Sequence, residues 1–569
     1  MNFRKNRSRN LNGYSDRSLG RIRLPNGWTV SAIAAAILVV VPIAAILSES
    51  LKPSGDIMSH LASTMLPRLV LNTAALAGGV AILTLILGVS LAWLTAVCEF
   101  PGRRTLSWLL LLPMAVPTYV MAFTFLGLMD FSGPLYRTLT TAGMPTPSDP
   151  RTVWGMILVM SLSLYPYVYL LSRGAFLTMG VRSMEVARSL GVSPWKAFFS
   201  VALPMARPWI AGGVMLVIME VLADFGAVSI FNYDTFTTAI YKAWFGFFSL
   251  SAAAKLSGIL VVFALAALLA EQKVRSKMRF TSMGREQGDS DRFVLVGASR
   301  FAAFFYIGAV FTVAFLIPVG QLVVWSATSF ARDFDQGYWT DLGHTLLLGT
   351  LAAGLVCTAA LVLSYAARLH PKGLVRHLVR ISTLGYALPG TVLAVGVVIP
   401  SAGVDNLLAS MTDFLGLSLS PAIQGTVPMM LAAYMVRFMA VGFNPVDSAM
   451  HRVTRSIDET ARTLGTRGLG LLRRVYVPIL KGGILTAGVL VLVDVMKEMP
   501  ITLMTRPFGM DTLAVKIFEL TSEGEWHRAA LPAVTLVLTG LIPVALLTRL
   551  SEMNFQKVIN APRAGHPNQ

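Results

Sequence analysis

Five ionisable side chains fall inside long apolar runs of this chain: Glu220 and Asp224 in EVLADFGAVSIF, and Asp494, Lys497 and Glu498 in DVMKEMPITLM. A charge held at membrane depth is costly unless it is paired or hydrated, so such residues are candidates for binding before packing. Glu220 and Asp224 are four apart, as are Asp494 and Glu498, which puts each pair on one face of a helix. Like charges on one face favour a water-filled cavity over lipid. The two faces are expected to meet and line a conduit for a cation. A purely structural arrangement is the competing expectation, with Lys497 paired to Asp494 or Glu498 and Asp224 at a helix end near the outer surface.

Covalent chemistry has little to work with in this sequence. It contains no G-x-x-x-x-G-K-S/T run to cradle nucleotide phosphates, no H-E-x-x-H and no C-x-x-C. Cys98 and Cys357 lie far apart, at or inside apolar spans, and imply no disulfide framework. The seven histidines are scattered, with His60, His344 and His527 expected near the outer face. No enzymatic activity, metal site or cofactor is expected.

A longer pattern occurs twice. Residues 185–204 read EVARSLGVSPWKAFFSVALP, and residues 459–478 read ETARTLGTRGLGLLRRVYVP. Glu185, Ala187, Gly191 and Pro204 match Glu459, Ala461, Gly465 and Pro478 without a gap, 274 positions apart. Ser183 and Ser456 stand where an N-cap would open a short helix, with acidic residues in the first turn. Gly191 and Gly465 stand where a C-cap would close it. A second amphipathic segment follows, and the proline marks re-entry toward the bilayer. Each copy is thus a polar knob, between apolar segments, that another protein can grip. At the same offset Glu220 aligns with Asp494 and Asp224 with Glu498, and at an offset of 272 Pro117 aligns with Pro389.

The elements that position these residues are membrane spans. The 569 residues are 55% hydrophobic and 13% charged, with mean hydropathy +0.65. A soluble chain carries about 25% charged residues, so this is an all-α polytopic membrane protein. Spans are expected near 28–47, 69–97, 106–128, 154–178, 208–228 and 252–270, then 301–325, 342–367, 378–400, 422–443, 482–504 and 529–550. Tails at 1–27 and 551–569 and a linker at 271–300 flank two six-span halves, 28–270 and 301–550. Threading from a cytoplasmic N-terminus puts both repeated loops and most Lys and Arg inside, with the C-terminus. The net charge of +18 is therefore read as the positive-inside bias of a lipid-embedded protein, with no nucleic-acid partner. Gly78, Gly79 and Gly88, with Gly349 and Gly354 in the repeat, are expected to allow close helix contact.

The doubled loop resembles the EAA loop of binding-protein-dependent ABC importers of the type I class, which reads E-A-A, three residues, G, nine residues, I-x-L-P. This chain has E-V-A…G…V-A-L-P and E-T-A…G…V-Y-V-P, with the middle alanine and the isoleucine replaced in both copies. The resemblance implies a bacterial inner-membrane permease with about twelve helices in two tandem halves. It implies two ATPase subunits docked on loops 185–204 and 459–478, with Glu185 and Glu459 facing basic groups there. It also implies a periplasmic substrate-binding protein. MEVLADFGAVSIFNYDTFTTAIYKAWF and MKEMPITLMTRPFGMDTLAVKIFEL look like the fused two-half permeases for ferric iron, and carboxylates suit a hard cation. Thiamine and aminophosphonate permeases share the fused layout and stay open as alternatives. A secondary transporter driven by an ion gradient is the rival class, in which the coupling loops would have no role.

Overall fold

The computed structural model describes residues 27–52, 64–131, 133–144, 149–180, 189–276, 292–370, 373–415, 422–466 and 468–559. Among the described residues the regular structure is helical apart from one two-stranded contact. The first half holds α1 (Gly27–Ser50), α2 (Leu66–Val97), strand β1 (Cys98–Glu99), α3 (Arg103–Leu109), α4 (Thr118–Met129), α5 (Pro134–Thr141), α6 (Val153–Ala175), α7 (Phe198–Ala223), α8 (Gly226–Ile230), α9 (Phe236–Tyr241) and α10 (Leu250–Arg275). The second holds strand β2 (Phe293–Val294), α11 (Ala298–Asp333), α12 (Gln336–Leu369), α13 (Leu374–Ser382), α14 (Gly390–Phe414), α15 (Val427–Met450), α16 (Arg455–Thr463), α17 (Gly468–Lys497), α18 (Pro500–Thr505), α19 (Leu513–Ser522) and α20 (Trp526–Ile559). Eleven helices among the described residues are long and apolar enough to cross a membrane, and the bent pair Arg103–Ala115 and Thr118–Thr141, at 92° to one another, makes twelve when taken as one broken span.

Two expected spans are corrected. The segments near 106–128 and 378–400 are each broken by a 3-10 turn, Leu112–Ala115 and Leu384–Ala387, and restart behind a proline. Pro117 and Pro389 are N-caps with ψ of 146° in both cases, and not kinks inside a span. Proline forces the preceding residue out of the helical region, and Val116 and Leu388 are extended accordingly. The second-half span therefore starts at Gly390 and runs on to Phe414. The spans expected over 208–228 and 482–504 also stop early, at Ala223 and Lys497.

The halves are interwoven. Val39 and Ile46 of α1 belong to a core cluster with Leu348, Val392 and Val436 of the second half. In exchange, Ile307, Phe311, Phe315 and Trp325 of α11 join the first-half cluster around Val120 and Phe123, and Tyr306 hydrogen-bonds Ser90 at 2.7 Å. The start of the second half is tied to the first by β1 and β2, which run parallel, and by Arg292, bound to Glu99 at 3.4 Å, a carboxylate that Arg103 also holds at 3.0 Å. Both cysteines are free, and burial pushes the Cys98 thiol up to about 11.

Within lipid, helices associate through close packing, because the tails are as apolar as the side chains. α2, α6 and α7 meet at Val168. A Cβ on Gly88 would come within 2.7 Å of the Val168 Cβ, and one on Gly213 within 2.9 Å of its Cα. Gly79 and Gly349 are similarly close to Ile157 and Leu492, whereas Gly78 and Gly354 have no such neighbour among the described residues. Overpacking of this kind costs about 1–3 kcal/mol, so Gly213→Val is expected to lower the thermal midpoint of the purified protein in detergent. An unchanged midpoint would show that α6 and α7 can part without cost.

Candidate functional site: a charged cavity and two loop knobs

Helix α7 ends because Asp224 turns extended, with ψ of 131°, and α17 ends at Glu498 with ψ of 112°. Each carboxylate then caps the short helix that follows. Asp224 Oδ1 accepts the Ala227 and Val228 N–H groups at 2.9 and 3.3 Å, and Glu498 Oε1 accepts the Ile501 N–H at 3.2 Å. Such caps satisfy donors that have no partner within the helix, a requirement that lipid makes strict. Thr118 donates to the other oxygen of Asp224 at 2.5 Å, and Arg437 Nε pairs with Glu498 Oε2 at 3.1 Å.

Glu220 and Asp494 lie one turn earlier, inside the helices. Tyr386 of the second half donates to Glu220 at 3.1 Å. Among the described residues Asp494 has no direct hydrogen bond, and its charge is felt by Lys497 and Glu220. All four acidic residues border one cavity of about 210 Å³, together with Ser163, Tyr167, Tyr119, Arg437 and Lys497. Side chains from both acidic stretches thus border one cavity, but Asp224 and Glu498 sit at helix breaks and not on a continuous face with Glu220 and Asp494. Asp224 also serves the structural role of capping the helix that follows it. Glu498 pairs with Arg437, a residue that sequence reading passed over. Among the described residues no three His, Cys, Asp or Glu side chains converge closely enough to hold a metal ion.

The loops lie at the other ends of the same helices. α7 runs 26 residues and α17 runs 30, about 39 and 45 Å at 1.5 Å per residue, longer than a bilayer core. α7 opens on a π-turn, Phe198–Ala202, and α17 has one, Leu472–Tyr476, behind its first four residues, each ending just before Pro204 or Pro478. Gly191 and Gly465 have φ of +73° and +77°, a left-handed conformation that favours glycine, as the capping pattern requires. Leu190 and Leu464, one residue earlier in each copy, are 74% and 77% exposed. In the second copy α16 starts at Arg455, one residue before Ser456, and carries Glu459 on its exposed side. Ala461 is buried. Asp458 holds the knob to its own half through Arg368, at 3.0 Å, and through Tyr476. Glu185 and Ala187 lie outside the described residues.

Residues 85–275 match the sequence profile of the binding-protein-dependent transport system inner membrane component. The Fe(3+)-transport system permease protein FbpB 2 of Haemophilus influenzae is 28% identical over 490 residues, which are 84% of this chain and 89% of that protein. The molybdenum transport system permease protein ModB of Azotobacter vinelandii is 30% identical over 161 residues, 28% of this chain and 69% of its own length. The sulfate transport system permease protein CysW of Escherichia coli is 30% identical over 205 residues, 36% and 68% of the two chains. The chain belongs to this family. It is an inner-membrane component of a binding-protein-dependent transport system, a class that works with an ATPase and a substrate-binding protein.

For this transport component, hydropathy located the apolar segments, and the repeat located the loops and the acids. Arg437, Tyr386 and Ser163 were missed. Arg437 carried a usable signal, since a lone arginine in AAYMVRFMAVG meets the same test of a charge inside a span. Tyr386 and Ser163 carried none, because their importance comes from what faces them.

Proposed function

We propose that this permease carries Fe(III), delivered by a periplasmic binding protein, along a path between its tandem halves, 28–270 and 301–550. The path is lined by Glu220, Asp224, Asp494 and Glu498. Two ATPase subunits grip loops 185–204 and 459–478 on the cytoplasmic side, where both termini also lie. ATP binding draws the subunits together, the knobs move, and α7 and α17 transmit that motion to the acids at their far ends. Hydrolysis resets the pathway.

One observation carries the reading: acidic residues from both halves meet in a single cavity at the ends of the two helices that begin at the loops. Oxygen donors there suit a hard trivalent cation. The name of the Haemophilus relative points to the same cargo.

Uptake of radiolabelled Fe(III), molybdate, sulfate, thiamine and an aminophosphonate should be compared in cells lacking and regaining this chain. Restored uptake of Fe(III) alone is expected, and restored uptake of any other member of the panel would replace iron as the cargo. An ATPase subunit should co-purify with the chain in detergent. Full transport by the chain alone in sealed vesicles without ATP would support the ion-gradient class instead.

A further inference from the structure

The four carboxylates of the cavity obey the internal repeat, and its two cations do not. Glu220 corresponds to Asp494 and Asp224 to Glu498, but Arg437 corresponds to Ser163 and Lys497 to Ala223. The register is secure, since Thr152 and Thr426 stand at the N-cap positions of α6 and α15 at the same offset that relates Gly191 to Gly465. Ser163 borders the cavity at 3% exposure, and its hydroxyl has no partner among the described residues. One half thus fills this position with a tethered positive charge, while the other leaves an unfilled polar group.

We propose that Arg437 is a built-in counter-cation that latches the cavity between transport events and must release Glu498 for a cation to pass. Its guanidinium joins three elements. Nε holds Glu498 at the break between α17 and α18, Nη1 donates to the Leu388 carbonyl at 2.7 Å just before α14, and the side chain itself comes from α15. Glu498 also lies against Gly390, where an added Cβ would come within 2.6 Å of Oε1. The break at Glu498 is therefore clamped from two sides while Arg437 stays in place.

Glu220 and Asp494 keep the spare capacity, with one tyrosine hydroxyl and no direct hydrogen bond respectively. A multivalent cation drawn to them adds positive charge beside Arg437 and weakens its hold on Glu498 by repulsion. Entry of the cargo loosens the latch. This inference rests on the cation reading given above.

The test uses the full chain with its ATPase partner in liposomes, without binding protein or ATP, and follows Mn²⁺ entry by quenching of trapped calcein. Arg437→Met is expected to raise the leak at least about tenfold over wild type, and Arg437→Lys to raise it less, since lysine keeps the charge but cannot hold Glu498 and the Leu388 carbonyl together. Arg437→Met combined with Glu498→Gln should leak as well. A tight single variant would overturn the latch. So would a tight double variant, which would show that Arg437 merely neutralises Glu498. Where Arg437→Met fails to fold, as judged by size-exclusion profile, Glu498→Gln alone gives the same test, and a tight Glu498→Gln protein overturns the proposal. Failure of the iron reading is separable, because it appears as absent ATP-driven Fe(III) uptake in wild type whatever the leak measurement gives.

Discussion

Glu220→Gln combined with Asp494→Asn is expected to reduce ATP-driven uptake of Fe(III) at least about tenfold, a loss equivalent to about 1.4 kcal/mol or more along the path. Both residues face the cavity with oxygens not committed to holding the fold: Glu220 accepts one tyrosine hydroxyl, and Asp494 has no direct hydrogen bond among the described residues. Their amide analogues keep the volume and remove the charge that attracts a cation. Asp224→Asn is expected to behave differently. Asn keeps an oxygen that can accept the Ala227 N–H, and asparagine serves as well as aspartate in a capping position, so the helix break should survive and the loss of transport should be smaller than in the double variant. The measurement is initial uptake rate normalised to inserted protein. Equal losses in Asp224→Asn and in the Glu220/Asp494 double variant would erase the division between conduit and cap. Unchanged uptake in the double variant would remove the acids from the path altogether.

The second large effect lies about 40 Å away, at the loops. Glu185→Ala combined with Glu459→Ala is expected to cut both uptake and substrate-stimulated ATPase activity about tenfold or more, while the protein still inserts and folds. Glu459 is exposed on α16, whereas Asp458 beside it is tied to Arg368 and Tyr476. Removing Glu459 therefore takes away a group offered to a partner and leaves the knob attached. Asp458→Ala should instead loosen the knob on its own half, since it leaves Arg368 without its carboxylate. The two effects separate by thermal unfolding, which Glu459→Ala should leave unchanged and Asp458→Ala should lower. Wild-type coupling in the Glu185/Glu459 double variant would end the proposal that these loops are where the ATPase pulls.

The two sets of residues are connected mechanically. α7 and α17 each carry a loop at one end and a helix break at the other. In the proposed cycle, the breaks at Asp224 and Glu498 turn a rod motion into a local rearrangement, because the short helices α8 and α18 hang on those carboxylates. Arg437 sits on one of these breaks and not on the other. The transporter is thus symmetric in its acids and loops, and asymmetric in its latch.

Sequence alone determined the class of molecule, the repeat, the two loops with their glycine turns, and the pairing of Glu220 with Asp494 and Asp224 with Glu498. Each of these depends on apolar run length, local spacing or residues compared at one fixed offset, all of which a linear chain displays. Only the tertiary structure decided that Pro117 and Pro389 cap helices, that α1 and α11 exchange halves, and that Arg437 reaches Glu498. Helical periodicity says which residues share a face and nothing about what that face meets. In lipid the choice of neighbour is made by close packing and by the need to pair every buried polar group, and those partners lie tens to hundreds of residues apart in the chain.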